Sequence, residues 1–132
     1  MKRAAKLVAD GEMPDVRQFD LSIIALSDDE LLEINRASLG HDWYTDVITF
    51  EIERSAMESL SLPGGGERLE AEIYISVDRA MENARKAKVP LIRELIHLVI
   101  HGVLHLAGYD DKQADAKKRM KARERFYLSR AD

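Results

Sequence analysis

The stretch from Pro90 to Gly108 constrains this chain most, because it predicts a helix with almost no polar face. Its sequence is PLIRELIHLVIHGVLHLAG. Pro90 suits the first turn of a helix, where a backbone N–H would lack a partner anyway. Gly108 suits a helix end, because glycine adopts positive φ without a steric penalty. We expect a helix that continues to about Ala107 and, being apolar on nearly all sides, lies at the centre of the core.

The other segments predict three strands and four further helices. An N-terminal helix from Lys2 to Ala9 is ended by Gly11 and Pro14, and a capping box of the form S-x-x-E at Ser27 opens a helix that stops at residue 40. The predicted strands are FDLSIIALS (19–27), TDVITFEIE (45–53) and EAEIYISV (70–77), and the remaining helices are DRAMENARKAK (78–88) and DKQADAKKRMKARERFYL (111–128).

The resulting order, αβαββααα, predicts an α+β fold: a single domain over residues 1–132, with a small mixed sheet surrounded by helices and the histidine-bearing helix at its centre. The segment SLPGGGE (61–67) is expected to be a hairpin or surface loop. Its glycines do not form a phosphate-binding loop of the Walker type, because no Gly-Lys-Ser/Thr follows them.

Composition narrows the classes of function. The chain has 132 residues and no cysteine, so disulfides and cysteine-based zinc sites are excluded. Residues 1–16 show no apolar signal segment, and the longest apolar run is too short to cross a bilayer, so we expect a cytoplasmic protein without a membrane partner. The net charge is −4, yet residues 79–130 hold 13 Lys and Arg against 6 Asp and Glu. This basic half is compatible with nucleic-acid contact, and solvated helix faces are the alternative.

Three histidines recur every four residues along the apolar helix. His97, His101 and His105 therefore lie on one stripe. His97 and His105 are separated by about 12 Å along the helix axis, which is too far for both to bind one ion. Only a pair four residues apart can share a metal, and the residues that follow the helix favour His101 with His105.

A turn at Gly108 can bring a carboxylate back to this pair, from Asp110 or from Asp111. With Asp111 the spacing is H-x-x-x-H-x-x-G-x-x-D, the ligand spacing of the metzincins with a carboxylate in third place. Three protein ligands leave a fourth position open, as in catalytic zinc sites. Zinc is the first candidate, and two histidines with a carboxylate also suit non-haem iron, nickel or cobalt.

Gly102 occupies the position where zinc peptidases of the H-E-x-x-H type carry the glutamate that acts as general base. With no side chain there, a peptidase lacks its proton acceptor. The small residue is also expected to let backbone or substrate approach the metal closely.

The segment IHGVLHLAGYDDK resembles the YbeY family of bacterial endoribonucleases, whose signature is H-G-x-L-H-x-x-G-Y-D-H. The segments YTDVITF, LLEIN and EIYIS resemble three further motifs of that family. The resemblance implies a single-strand-specific, zinc-dependent endoribonuclease that acts in 16S rRNA 3′-end maturation and ribosome quality control. It implies one Zn²⁺ per chain on His101, His105 and Asp111, the last in place of the family's histidine, with rRNA and the ribosomal small subunit or its assembly factors as partners.

Several other side chains are predicted to assist. His97 and Asp110 are expected to support the metal ligands rather than bind the ion. An arginine of the family falls at Leu39 in this sequence, and Arg36 and His41 stand nearby as substitutes. Candidate contacts to phosphate or RNA are Arg36, His41, Arg79, Arg85, Lys86 and Lys88, with the run 117–125 as a further basic surface. Two other functions stay open: a non-catalytic, zinc-containing ribosome assembly factor, and a small zinc metallopeptidase.

Overall fold

The computed structural model describes residues 1–57 and 65–131, which form five helices and three strands. In chain order these are α1 (Lys2–Glu12), β1 (Val16–Leu26), α2 (Asp28–Leu39), β2 (Val47–Ala56), β3 (Glu67–Ser76), α3 (Val77–Ala87), α4 (Leu91–Leu106) and α5 (Ala114–Leu128). The predicted α+β class and order of elements are confirmed. The loop predicted at residues 61–67 lies mostly outside the described residues.

The sheet is mixed and has the order β1-β3-β2, with β1 parallel to β3 and β2 antiparallel to it. Its central strand, β3, alternates as a half-buried strand should. The side chains of Leu69, Ala71, Ile73 and Ile75 are buried, and most of those between them are partly exposed. The buried face of the sheet therefore packs against helices α1 and α4.

Helix α4 lies at the centre of the core, as predicted. Its buried residues point in several directions around the helix axis: Leu98, Val99, Ile100, Val103 and Leu104 are all less than 5% exposed. The helix packs against β2 and β3 and is surrounded by α1, α3 and α5. Within the described residues, no single helix has the length and hydropathy of a membrane span; α3 and α4 reach them only jointly, across a 113° bend.

The predicted helix boundaries hold where capping residues set them, and fail at α1. Ser27 and Glu30 form the expected capping box, and Gly40 ends α2 with a φ of 68°. Helix α1, in contrast, continues through Gly11 to Glu12. A Cβ atom on Gly11 would overlap the Tyr127 hydroxyl of α5, so this glycine makes room for a neighbouring helix rather than ending its own.

Candidate metal centre

Three potential ligand atoms converge at the C-terminal end of α4. The Nε2 atoms of His101 and His105 lie 3.1 Å apart, and each is 4.0 Å from Oδ2 of Asp111. The point equidistant from the three atoms is about 2.2 Å from each, close to the zinc–ligand distances of about 2.0–2.2 Å. The three residues are thus grouped as a metal site requires, and Gly108, with a φ of 102°, makes the turn that returns the chain.

The other ring nitrogen of each histidine faces a group that can only accept a hydrogen bond. Nδ1 of His101 is 2.9 Å from Oε2 of Glu124, and Nδ1 of His105 is 3.1 Å from the carbonyl oxygen of Tyr109. A neutral ring that donates from Nδ1 has a free lone pair on Nε2. Two such lone pairs facing each other repel unless a cation lies between them, so the donor set fits a metal ion.

The electrostatic setting of His105 favours its metal-binding form. Burial, together with the neighbouring His101, holds the pKa of the His105 imidazole below its usual value. Metal ions bind the neutral ring, and a depressed pKa keeps the ring neutral over a wider range of pH.

Behind His101, Glu124 joins two histidines. Its carboxylate lies on α5, is 7% exposed and accepts a hydrogen bond of 2.6 Å from Nε2 of His97 in addition to that from His101. The hydrogen bond with Glu124 is the main reason that the pKa of His97 rises to about 10. Burial acts to raise the pKa of Glu124, but the hydrogen bonds from His101 and His97 outweigh it and lower that pKa to about 2. His97 therefore reaches His101 through a carboxylate and does not join the ligand atoms.

The two adjacent aspartates have different surroundings. Asp110 accepts a hydrogen bond of 2.6 Å from the backbone N–H of Lys112, which stabilises the turn. Asp111 points its carboxylate at the histidines and has a side chain 47% exposed. The loop is tied to α1 by the hydroxyl of Tyr109, which donates a hydrogen bond of 2.6 Å to Glu12. The geometry thus places Asp111, and not Asp110, in the ligand group.

Gly102 has a different role from the one predicted. A Cβ atom at this position would lie 2.8 Å from both Cδ1 of Ile73 and Oγ1 of Thr49. The glycine therefore allows α4 to pack closely on β2 and β3, and it does not open a path for substrate to the metal. The prediction that this position lacks the catalytic glutamate of the H-E-x-x-H peptidases is not affected.

Two clefts flank the ligand group. The polar cleft, of about 460 Å³, is lined by His101, by the lysines Lys117 and Lys121, and by the carboxylates of Asp46, Glu94, Asp111 and Glu124. The aromatic cleft, of about 340 Å³, is lined by Asn35, Leu39, His41, Trp43, Thr45, Val47, Ile48, Thr49 and His105. The ligand histidines thus open to both clefts, one to each.

Most of the basic residues predicted to contact RNA do not line these two clefts. Arg36 pairs with Asp42, Arg79 with Asp28, and Arg85 and Lys86 with Glu82, while Lys88 ends α3 in a left-handed conformation. None of these five lines either cleft in the described part of the chain. His41 lines the aromatic cleft, so it alone of the six candidates lies beside the ligand group.

Two features of the site were missed in the sequence. Glu124 lies in a strongly charged helix and looked like one of many solvent-exposed residues, since its partners are 23 and 27 residues away. Trp43 is the only tryptophan of the chain and stands in the loop before β2. A lone tryptophan in a polar loop was the one available indication of an exposed aromatic surface.

Comparisons with known protein families, sequences and structures agree with the family resemblance seen in the sequence. The family model described as "Endoribonuclease YbeY" matches residues 1–132. A protein with that name from Phocaeicola vulgatus is 38% identical over 110 residues, which is 83% of this chain and 72% of the relative. Another from Chlorobium phaeobacteroides is 39% identical over 122 residues, 92% of this chain and 77% of the relative. The solution structure of TM1509 from Thermotoga maritima is 33% identical and matches with a TM-score of 0.60, covering 98% of this chain and 77% of that one.

Proposed function

Because this chain belongs to the YbeY family, we propose that it is a metal-dependent endoribonuclease that cleaves single-stranded RNA. The observation that carries the metal dependence is the convergence of two histidine Nε2 atoms and one Asp111 oxygen, with both Nδ1 atoms facing acceptors. The relatives named as endoribonucleases do not favour a non-catalytic assembly factor. Gly102, in the place of a catalytic glutamate, argues against a peptidase.

The proposed cofactor is one Zn²⁺ per chain, held by His101, His105 and Asp111. Two imidazoles and one carboxylate leave a coordination position free, as catalytic zinc sites do. When bound, the ion supplies a Lewis acid that offsets charge on a phosphoryl oxygen and promotes attack by water or by the ribose 2′-hydroxyl.

The residues around the ligands have separate tasks in this proposal. Glu124 orients His101 and keeps its Nδ1 protonated. Lys117 and Lys121, which line the polar cleft, neutralise phosphates of the bound strand. The arginines predicted from the sequence, Arg36, Arg79 and Arg85, line neither cleft and are proposed to contact phosphates farther along the strand.

The biological setting is also a proposal. The family resemblance supports rRNA as substrate, with action at the 3′ end of 16S rRNA and in ribosome quality control. It supports the ribosomal small subunit or its assembly factors as partners and the cytoplasm as location.

The proposal is tested with highly purified protein and an end-labelled single-stranded RNA. Cleavage should be lost after chelation, return when Zn²⁺ is restored, and be absent from His105→Ala together with bound metal. The metal that is present in the protein as purified should be measured in parallel, because iron, nickel and cobalt suit the same ligands. Cleavage that persists in the metal-free protein would refute the proposal.

A further inference from the structure

We propose that Trp43, backed by His41, stacks against an unpaired nucleobase of the RNA next to the cleavage site. The inference rests on the proposed function and deepens it, since it assigns a part of the substrate to the aromatic cleft. A base in a duplex already has both faces covered by its neighbours. A stacking platform next to the metal ligands therefore provides a physical basis for preferring single strands.

The ring of Trp43 is available for stacking. It is 58% exposed, more than any other large hydrophobic side chain in the part of the chain that the structure describes. The imidazole of His41 lies parallel to it, with ring centroids 4.2 Å apart and an interplanar angle of 17°. This pair already has the stacked geometry that a base would extend.

The loop that carries the pair is held in place before any ligand binds. Asn35, which is 2% exposed, donates a hydrogen bond of 2.8 Å from Nδ2 to the carbonyl oxygen of Trp43. The backbone carbonyl of the same Asn35 accepts a hydrogen bond of 3.1 Å from the N–H of His41. One buried asparagine thus fixes both ends of the aromatic pair, and a rigid platform loses less entropy when it binds a base.

The neighbouring residue, Tyr44, anchors the other side of this loop. Its hydroxyl donates a hydrogen bond of 3.0 Å to Asp29, and the guanidinium of Arg79 lies over its ring at 5.1 Å. Arg79 was predicted to contact phosphate, but in the structure it supports the loop. The position of Trp43 is therefore set by the contacts of its loop with α2 and α3, and not by contacts of the indole ring.

The chemistry of the aromatic cleft suits a base and not a phosphate. In the part of the chain that the structure describes, its lining has no Asp, Glu, Lys or Arg, and Leu39 adds an apolar surface that is 44% exposed. His105 lines the same cleft, so an occupant lies beside the metal ligands. The polar cleft on the other side carries Lys117 and Lys121. That cleft also holds the carboxylates of Asp46, Glu94, Asp111 and Glu124, so charged groups lie on one side of the ligand group and an uncharged aromatic surface suited to a base lies on the other.

The test uses the fact that Trp43 is the only tryptophan. The intact protein is titrated with a single-stranded 2′-O-methyl oligonucleotide, which has no 2′-hydroxyl nucleophile and is checked to be intact after the titration, while tryptophan fluorescence and the anisotropy of an oligonucleotide dye are followed together. We expect quenching that saturates with binding. The same oligonucleotide in a duplex should not quench. An abasic residue introduced at each position in turn should abolish the quenching at one position.

Variants then measure the size of the contact. Trp43→Ala should weaken binding of the single strand about 5- to 150-fold, the range expected for one stacked base. Trp43→Phe should retain most of the affinity. The matched control is Phe126→Ala, which removes an exposed aromatic ring that lines neither cleft and should leave binding unchanged. On the oligonucleotide with the critical abasic residue, Trp43→Ala should cost no further affinity.

Binding that is seen by anisotropy without quenching of Trp43 would overturn the inference, and so would an equal affinity for the single strand in Trp43→Ala and the unaltered protein. Quenching that depends only on protein concentration would instead indicate contact with a second copy and would also overturn it. These outcomes are separate from those of the proposed function, because no cleavage is measured. A protein that binds through Trp43 but does not cleave would refute the nuclease proposal and retain this one.

Discussion

The helix-borne ligands and the loop-borne ligand of the candidate metal centre differ in how firmly they are held. His101 and His105 lie on α4, and each ring is oriented by a hydrogen bond from Nδ1 to Glu124 or Tyr109. Asp111 follows a glycine turn, and within the described residues no hydrogen bond ties its carboxylate.

Distances follow the same division. The two Nε2 atoms are 3.1 Å apart, but each is 4.0 Å from the Asp111 oxygen. The helix therefore holds two ligands in place in advance, and a small movement of the loop suffices to adjust the third. Substitutions should reveal this asymmetry. A ligand that is already held in place binds the metal without an entropy cost, whereas the loop ligand loses conformational entropy when it binds.

The largest difference is expected between His105→Ala and Asp111→Ala. His105→Ala should lose stoichiometric metal binding, because it breaks the only pair that is preorganised. Asp111→Ala should keep weaker but measurable binding, since water can occupy its place beside two intact imidazoles. Competition with a chelator of known affinity measures both variants, and we expect the loss of affinity in His105→Ala to exceed the about 100-fold upper end for groups that only support a ligand. Equal losses would show that the loop ligand is as firmly held as the helical ones.

A smaller effect is expected at Glu124, which holds His101 but binds no metal itself. Glu124→Gln should lower metal affinity about 10- to 100-fold, the range typical of such supporting groups. The matched control is Glu82→Gln, which removes an exposed carboxylate that pairs with Arg85. The corresponding support of His105 is a backbone carbonyl, so no side-chain substitution can remove it. An unchanged affinity in Glu124→Gln would indicate that α4 alone orients His101.

The smallest effect concerns pH and the metal-free protein. The pKa of His97 is raised to about 10, first by Glu124 and then by Glu94, so its pairing with Glu124, together with that with Glu94, stabilises the fold fully below pH 6.5 and is lost as the pH rises towards 10. The pKa of Glu124 is lowered to about 2, so its contribution is full above pH 4.5 and is lost as the pH falls towards 2. Urea unfolding of chelated protein should therefore show greatest stability from this pair between pH 4.5 and 6.5.

His97→Asn provides the test of that assignment. The variant should be less stable than the unaltered protein at pH 6, and the difference should shrink as the pH approaches 10. A difference in the free energy of unfolding that stays constant from pH 6 to pH 10 would exclude the pairing of His97 with Glu124 and Glu94 as its cause.

The fold was predictable to the extent that each element carries its own local pattern. The apolar sequence of α4 and the capping box at Ser27 determine their elements within a few residues, and both predictions were confirmed. Gly11 misled the prediction because its smallness serves Tyr127, a residue far away in sequence. Helix ends that depend on packing between distant elements have no local pattern.

The site divides in the same way. His101, His105 and Asp111 lie within eleven residues, so spacing alone could group them. Glu124 joins the site only through the packing of α5 on α4, which no spacing rule describes. The pairing of Arg85 and Lys86 with Glu82 could be predicted from the sequence, since Glu82 stands three and four residues before them on the same helix. The pairing of Arg79 with Asp28, across 51 residues, could not.

The contacts of α5 have a consequence for the order in which this protein acquires its chemistry. Ribosomes make a chain from its N-terminus, so the sheet and both ligand histidines emerge before Glu124 does. Tyr127 and Arg123, on the same helix, meet Glu12 of α1 and join the two ends of the described chain. Until α5 docks, His101 has no carboxylate behind it and the Gly108 turn has no α5 beside it. The hydrogen bond that orients His101 can therefore form only after the last described helix has been made, and until then the nascent chain should bind metal more weakly, as is expected of Glu124→Gln.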